Sequence, residues 1–288
     1  MKKFSGVMIC ASVLMCAPGA FAADMSYVKK APIETPEEPE DMSRFEINTS
    51  LDVTSRRSVF GYGSITFSPF GILDQSGFRL KLEGINGGYH YNTQGDPNFF
   101  QPPLLSIHGH FVGASALVGY EWVNDWLNVA AYVGADYQHD SETWNPADAF
   151  NAFGFGGFGP GGGFGFGFGA GGFGIQNPTI GTHWGVKFAT DIDYHPTDYW
   201  SFALSGNYST SNNSWWSRFR PGYAVWEDVY VGPEFGYQGN NFYQQWRIGA
   251  HLRGAKLGPV EIGLATGFAR DSVVGDGIYG NVEASIRF

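Results

Sequence analysis

The chain has 288 residues, a formal net charge of −10, 17% aromatic residues and 15% charged residues. So acidic a chain lacks the basic face that nucleic acid requires, and its charge content is well below the ~25% usual for a soluble globular domain. Beyond residues 1–22 no run reaches the ~18 uninterrupted apolar residues of a spanning helix. A lipid-facing β-barrel is the class that combines abundant aromatics with few charges.

Residues 1–22 have the form of a cleaved secretory signal peptide. Lys2 and Lys3 make the basic start, Phe4 to Cys16 the short apolar run, and Ala20-Phe21-Ala22 the small-x-small cleavage site. The apolar run is shorter than the ~20 residues of a retained anchor. Bulky Met15 before Cys16 disfavours a lipoprotein signal. Both cysteines, Cys10 and Cys16, leave with this segment. That excludes disulfides, thiol catalysis and cysteine metal sites in the mature chain. Residues 23–44 place Pro32, Pro36 and Pro39 among Glu34, Glu37, Glu38, Glu40 and Asp41. Proline blocks regular ladders and clustered acids repel, so a disordered periplasmic linker is expected. It is a solvated tail or, alternatively, a partner-binding arm.

Residues 45–288 read as an all-β, transmembrane, antiparallel up-and-down barrel of about twelve strands. The segments are 45–54, 57–68, 78–91, 106–121, 127–138, 179–194, 199–210, 215–225, 228–237, 243–256, 259–270 and 278–288. Many reach the ~9–11 residues that cross a bilayer as a tilted strand. Ten is the alternative count, because 57–68, 215–225 and 228–237 alternate poorly. The last strand alternates strictly: Val282, Ala284, Ile286 and Phe288 against Asn281, Glu283, Ser285 and Arg287. Such a strand closes the sheet, and its terminal Phe288 sits at the interface where the barrel assembly machinery would engage it. The expected location is the outer membrane of a Gram-negative cell, in contact with its lipid and lipopolysaccharide.

An even strand count puts both ends of the barrel in the periplasm. Short turns then fall there, at Trp122–Trp126, His195–Asp198, Trp226-Glu227 and Leu257-Gly258. Longer connections fall outside: Asn92–Leu105, His139–Pro178 and Asp271–Gly277. The loop 139–178 contains an uncharged Gly/Phe tract over 150–174. Glycine's entropy predicts mobility there. The tract is a low-complexity insertion or a flap whose rings meet polysaccharide, lipopolysaccharide or another chain.

Alternation directs Arg218 and Arg220, Glu234, Arg247, His251 and Arg253, Glu261, Glu283 and Arg287 inward. One reading is an ion-pair ladder that fills a small barrel and offsets the cost of removing charge from water. The other is a polar path for a solute or a glycan strand. No phosphate loop, metalloprotease helix or nucleophile elbow occurs. His108 and His110 share a strand face without an evident third ligand, so neither metal nor cofactor is expected. A rim serine and acid with His139 or His183 would be the set of a lipid A-modifying barrel enzyme.

The second half carries a family resemblance. Trp216-Ser217-Arg218-Phe219-Arg220-Pro221-Gly222-Tyr223 is followed by Val231-Gly232-Pro233-Glu234-Phe235. Then come Gln245-Trp246-Arg247-Ile248-Gly249-Ala250-His251-Leu252-Arg253-Gly254 and Gly267-Phe268-Ala269-Arg270-Asp271-Ser272. The first half adds Tyr62-Gly63 and the turn Asp74-Gln75-Ser76-Gly77-Phe78. These segments resemble the cellulose biosynthesis protein BcsS family of outer-membrane proteins over roughly 55–288, the Gly/Phe tract excepted. The resemblance implies a non-enzymatic accessory of cellulose production or export, with cellulose or the synthase and export machinery as partners. It points to Glu234, Arg247 and His251 as residues to test. A small porin and a lipid-modifying enzyme are the alternatives.

Overall fold

The structure is a computed structural model that describes residues 42–93, 105–144 and 179–288. The signal segment, nearly all of the linker and the Gly/Phe tract lie outside the described residues. Those described form one closed antiparallel barrel of twelve strands in chain order. They are β1 (Phe45–Thr54), β2 (Val59–Phe67), β3 (Gly77–Thr93), β4 (Leu105–Asn124), β5 (Leu127–Trp144) and β6 (Gly181–Thr197). Then follow β7 (Trp200–Ser209), β8 (Ser214–Trp226), β9 (Val229–Gly239), β10 (Gln244–Leu257), β11 (Val260–Asp271) and β12 (Gly275–Arg287). The count is therefore twelve, not ten. The weakly alternating β2, β8 and β9 pair on both sides like the rest.

Most boundaries shift by one to three residues from the sequence pattern, and one shifts by six. β5 continues beyond 138 to Trp144, so His139 is a strand residue, and β12 begins at Gly275. The ladder Ile107↔Trp144 to Phe111↔Asp140 carries polar side chains on both faces. A strand that rises above the lipid needs no apolar face, so alternation fades there before pairing does.

The polarity is that of a membrane barrel. Leu51, Val53, Leu80, Leu82, Val118, Val133, Val186 and Leu204 are exposed on the outer surface. With no water to compete, such side chains suit hydrocarbon, and closure leaves no backbone edge unpaired in it. Aromatic rows flank this band. At the end bearing Phe45 and Phe288 stand Phe78, Tyr120, Trp122, Trp126, Tyr194, Trp200 and Tyr223. At the other end stand Tyr137, Trp184, Trp215, Tyr237, Trp246 and Phe268. By the rule of short periplasmic turns and long outer loops, the end with Phe45 and Phe288 is periplasmic.

The wall is uneven. β3 to β6 have 17 to 20 residues, whereas β1 and β2 have 10 and 9. β3 to β6 therefore stand higher at the outer end. Three register shifts sit at the periplasmic ends of β6/β7, β8/β9 and β10/β11, where bulges commonly turn a barrel rim.

β1 and β12 close the barrel from Glu46↔Arg287 to Thr54↔Tyr279. Phe45 and Phe288 exchange backbone hydrogen bonds at 3.0 Å, and their rings stack at 5.6 Å. Arg44, assigned to the linker from sequence, also donates its N–H to the Phe288 carbonyl. The β2–β3 turn is held from inside by Arg79, which is 0% exposed. Its guanidinium donates to Glu121 (2.8 Å), Ser68 Oγ (3.0 Å) and the carbonyls of Leu73 (2.9 Å), Gln75 (2.5 Å) and Phe78 (3.2 Å).

Candidate functional site

Of the residues expected inward from alternation, Arg218, Arg220, Arg247, Arg253 and Glu283 are bonded across the lumen. Arg218 and Arg220 on β8 both pair with Glu283 on β12, Arg220 at 2.8 Å. Arg247 on β10 pairs through Nη1 and Nη2 with Asp52 on β1, at 2.5 and 3.0 Å. Arg253 on β10 pairs with Asp193 on β6, at 3.1 and 2.7 Å, and also donates to Ser201 Oγ. Two or three strands intervene in each case, so these pairs are chords of the barrel rather than rungs between neighbours.

A second group fills the opposite sector. Lys187 on β6 reaches Glu83 on β3 at 2.6 Å, and Lys81 on β3 reaches Asp191 on β6 at 3.4 Å. Tyr62 donates to Glu83 at 2.9 Å. Asp136 is 3% exposed and accepts from Ser115, Gln138 and Ser209. Charge removed from water needs this density of partners. Asp52, Lys81, Glu83, Asp136, Lys187, Asp191 and Asp193 join the lumen network without being expected from the sequence as site members. The alternation of Arg79, Lys81 and Glu83 with Phe78, Leu80 and Leu82 was the available signal.

The family-like segments of β8, β9 and β10 meet at one irregular patch of wall. The β8–β9 register runs to Phe219↔Phe235 and resumes at Tyr223↔Val231. Pro221 and Pro233 occupy the gap; neither has an N–H to donate to a ladder. A Cβ on Gly232 would lie 2.0 Å from the Pro221 carbonyl oxygen, so only glycine lets the two backbones approach here. His251, opposite Gly232 on β10, donates Nδ1–H to the Pro233 carbonyl at 3.0 Å. A Cβ on Gly249 would lie 2.5 Å from Tyr279 Oη, which in turn donates to Glu234 at 2.9 Å. His251 and Glu234 are each 2% exposed. The motif thus seats a buried histidine and a buried carboxylate where a regular ladder is interrupted.

Not every expected residue joins. Arg287 lies at the periplasmic rim, bonded to Glu46 (3.0 Å) and Asp74 (3.2 Å). Glu261 is exposed near the β10–β11 turn. His139 hydrogen-bonds with Thr182 (2.9 Å), and His183 contacts the Ile180 carbonyl (3.4 Å). Neither histidine hydrogen-bonds to a serine or a carboxylate among the described residues.

Similar solved structures include the KdgM porin, with a TM-score of 0.40 and 10% identity over 84% of this chain and 99% of that one. Others are a TodX monoaromatic hydrocarbon channel mutant, at 0.48 and 11% over 87% and 91%, and the COG4313 outer membrane channel from Pseudomonas putida F1, at 0.46 and 12% over 87% and 99%. No curated protein matches the sequence. The sequence profile of the cellulose biosynthesis protein BcsS family matches residues 49–159 and 173–288. That match takes in the β8–β10 patch, the Arg79 turn and nearly all of the barrel wall, and this chain belongs to the cellulose biosynthesis protein BcsS family.

Proposed function

We propose that this protein is a non-enzymatic accessory of cellulose production, exported through a cleaved signal peptide and closed into the outer membrane by its terminal strand. The observation that carries the proposal is the family match along nearly the whole barrel. Its partners would be cellulose or the synthase and export machinery, with the assembly machinery engaging Phe288 and the outer leaflet around the wall. The ion-pair chords favour this reading over that of a small porin, because they occupy the cross-section a solute would use.

The test is surface cellulose, measured by dye binding and by enzymatically digestible glucan, in a deletion strain. The strain is complemented with wild type or with Glu234→Gln plus Arg247→Gln, folding being checked by heat-modifiable mobility. Lowered or disordered cellulose that wild type restores is the expected outcome. Failure of the folded double variant to restore it would implicate the lumen as the working surface. Unchanged cellulose in the deletion strain would overturn the proposal.

A further inference from the structure

A cavity of about 340 Å³ lies at the outer end of the barrel, away from the lumen ion pairs. It occupies the step where the wall changes height. β2 pairs with β3 only as far as Val59↔Gly88, so His90, Tyr91 and Asn92 stand above the β1–β2 turn. Arg56 and Arg57 of that turn form one side, and Val273 and Val274 of the β11–β12 turn form another.

The described lining of the cavity is basic. None of the described residues that line it is acidic. The nearest acids on the adjoining turn are engaged elsewhere: Asp271 Oδ1 accepts the N–H groups of Val273 and Val274, and Asp276 meets Arg270 at 3.5 Å. Arg57 has no carboxylate partner among the described residues. Its φ of 64° lies in the left-handed region, which disfavours a residue bearing Cβ. A turn that needed only this geometry would be better served by glycine. Strain retained at such an arginine points to a role for the side chain. Arg56 is positioned too: its Nε–H donates to the Asp276 carbonyl at 2.5 Å. A Cβ on Gly277 would come within 3.0 Å of the Arg56 stem, so glycine there leaves room for it.

Two arginines on a cavity whose described lining has no acid suit a phosphate, whose oxygens match the guanidinium's planar fork of donors. The cavity is larger than a bare phosphate fills, and Tyr91, Val273 and Val274 give it apolar faces. We propose that this notch binds a phosphorylated sugar, its phosphate held by Arg56 and Arg57 and its ring against Tyr91 and Val273. Its place at the outer rim makes the headgroup of an outer-leaflet glycolipid one source, and a soluble sugar phosphate the other.

The experiment uses the full chain folded in zwitterionic detergent. The probes are lipid A in phosphatidylcholine vesicles, the same lipid with its phosphates removed, glucose phosphate and inorganic phosphate. The variant is Arg56→Gln plus Arg57→Gly, the glycine accepting the left-handed turn. Lys256→Gln, at an exposed periplasmic ion pair, removes one charge elsewhere as the control. Binding of a phosphorylated probe, weakened at least tenfold in the variant and unchanged in the control, is expected. Lipid A binding without glucose phosphate binding assigns the lipid source, and the converse assigns the soluble one. Equal binding of dephosphorylated lipid, insensitivity to the variant, or no binding of either phosphorylated sugar would overturn the proposal. Inorganic phosphate binding as tightly as glucose phosphate would overturn its sugar part.

Discussion

Arg247 reaches past β11 and β12 to take both carboxylate oxygens of Asp52 on β1, at 2.5 and 3.0 Å. The two residues are 195 positions apart in the chain. Their pairing fixes a chord of the barrel with a bidentate geometry that a lysine could not reproduce. With Glu283 shared by two arginines and Asp193 held by Arg253, the same sector of the lumen is crossed three times.

Bilayer conductance tests that arrangement. The wild-type barrel is expected to pass little current. Replacing Asp52 and Glu283 by alanine would remove two chords and leave Arg218, Arg220 and Arg247 without their acids. The current should rise and become anion-selective, read from the reversal potential in a salt gradient. Large, unselective currents through the wild-type protein would show that the chords do not obstruct the lumen.

Gly232→Ala should be costly for a barrel-wall position. The added methyl would meet a backbone oxygen at 2.0 Å, and a backbone atom cannot rotate away. A loss of about 1–3 kcal/mol is expected from overpacking. Gly84→Ala, where no atom lies within 4 Å, should stay within about 0.5 kcal/mol of wild type. Urea unfolding of the refolded barrel in vesicles compares the two.

Arg79→Met should loosen the β2–β3 turn. Methionine retains much of the stem but loses all the donors that bind Glu121, Ser68 and the turn carbonyls. Breaking a buried pair costs about 3–5 kcal/mol. The same unfolding measurement should show that loss, and limited proteolysis should cut within 68–76 first.

Phe288→Ala should weaken the seam by about 1 kcal/mol, the worth of one stacked aromatic pair, because Phe288 stacks on Phe45. Deleting residue 288 should cost more, since the backbone bonds of Phe45 and Arg44 to its carbonyl would go as well. Refolding yield into vesicles, measured by heat-modifiable mobility, should fall in that order.

The faces of the strands were legible because alternation is a local property. A period of two assigns each side chain to lipid or lumen without knowledge of its neighbours. Trp246, Ile248, Ala250 and Leu252 against Arg247, Gly249, His251 and Arg253 shows this within one strand. The same alternation directs Arg218, Arg220, Glu234 and Glu283 inward, whereas Arg287 ends at the rim. It weakened where one condition lapsed: β5 above the lipid is polar on both faces, and its last six residues were assigned to a loop.

What the sequence determined by itself was therefore the barrel, its aromatic-rich character, an even strand number and the inward side of the strands that alternate clearly. All follow from the demand that a strand in lipid satisfy its backbone by closure and its side chains by alternation. Which charges meet was decided only by the tertiary structure. Asp52 and Arg247, or Asp193 and Arg253, come together because register and barrel curvature bring distant strands face to face across the lumen. Nothing local to either residue encodes that meeting. The glycine and proline of the β8–β9 gap belong to the same class, since their need appears only when one strand's carbonyl occupies the space of the other's side chain.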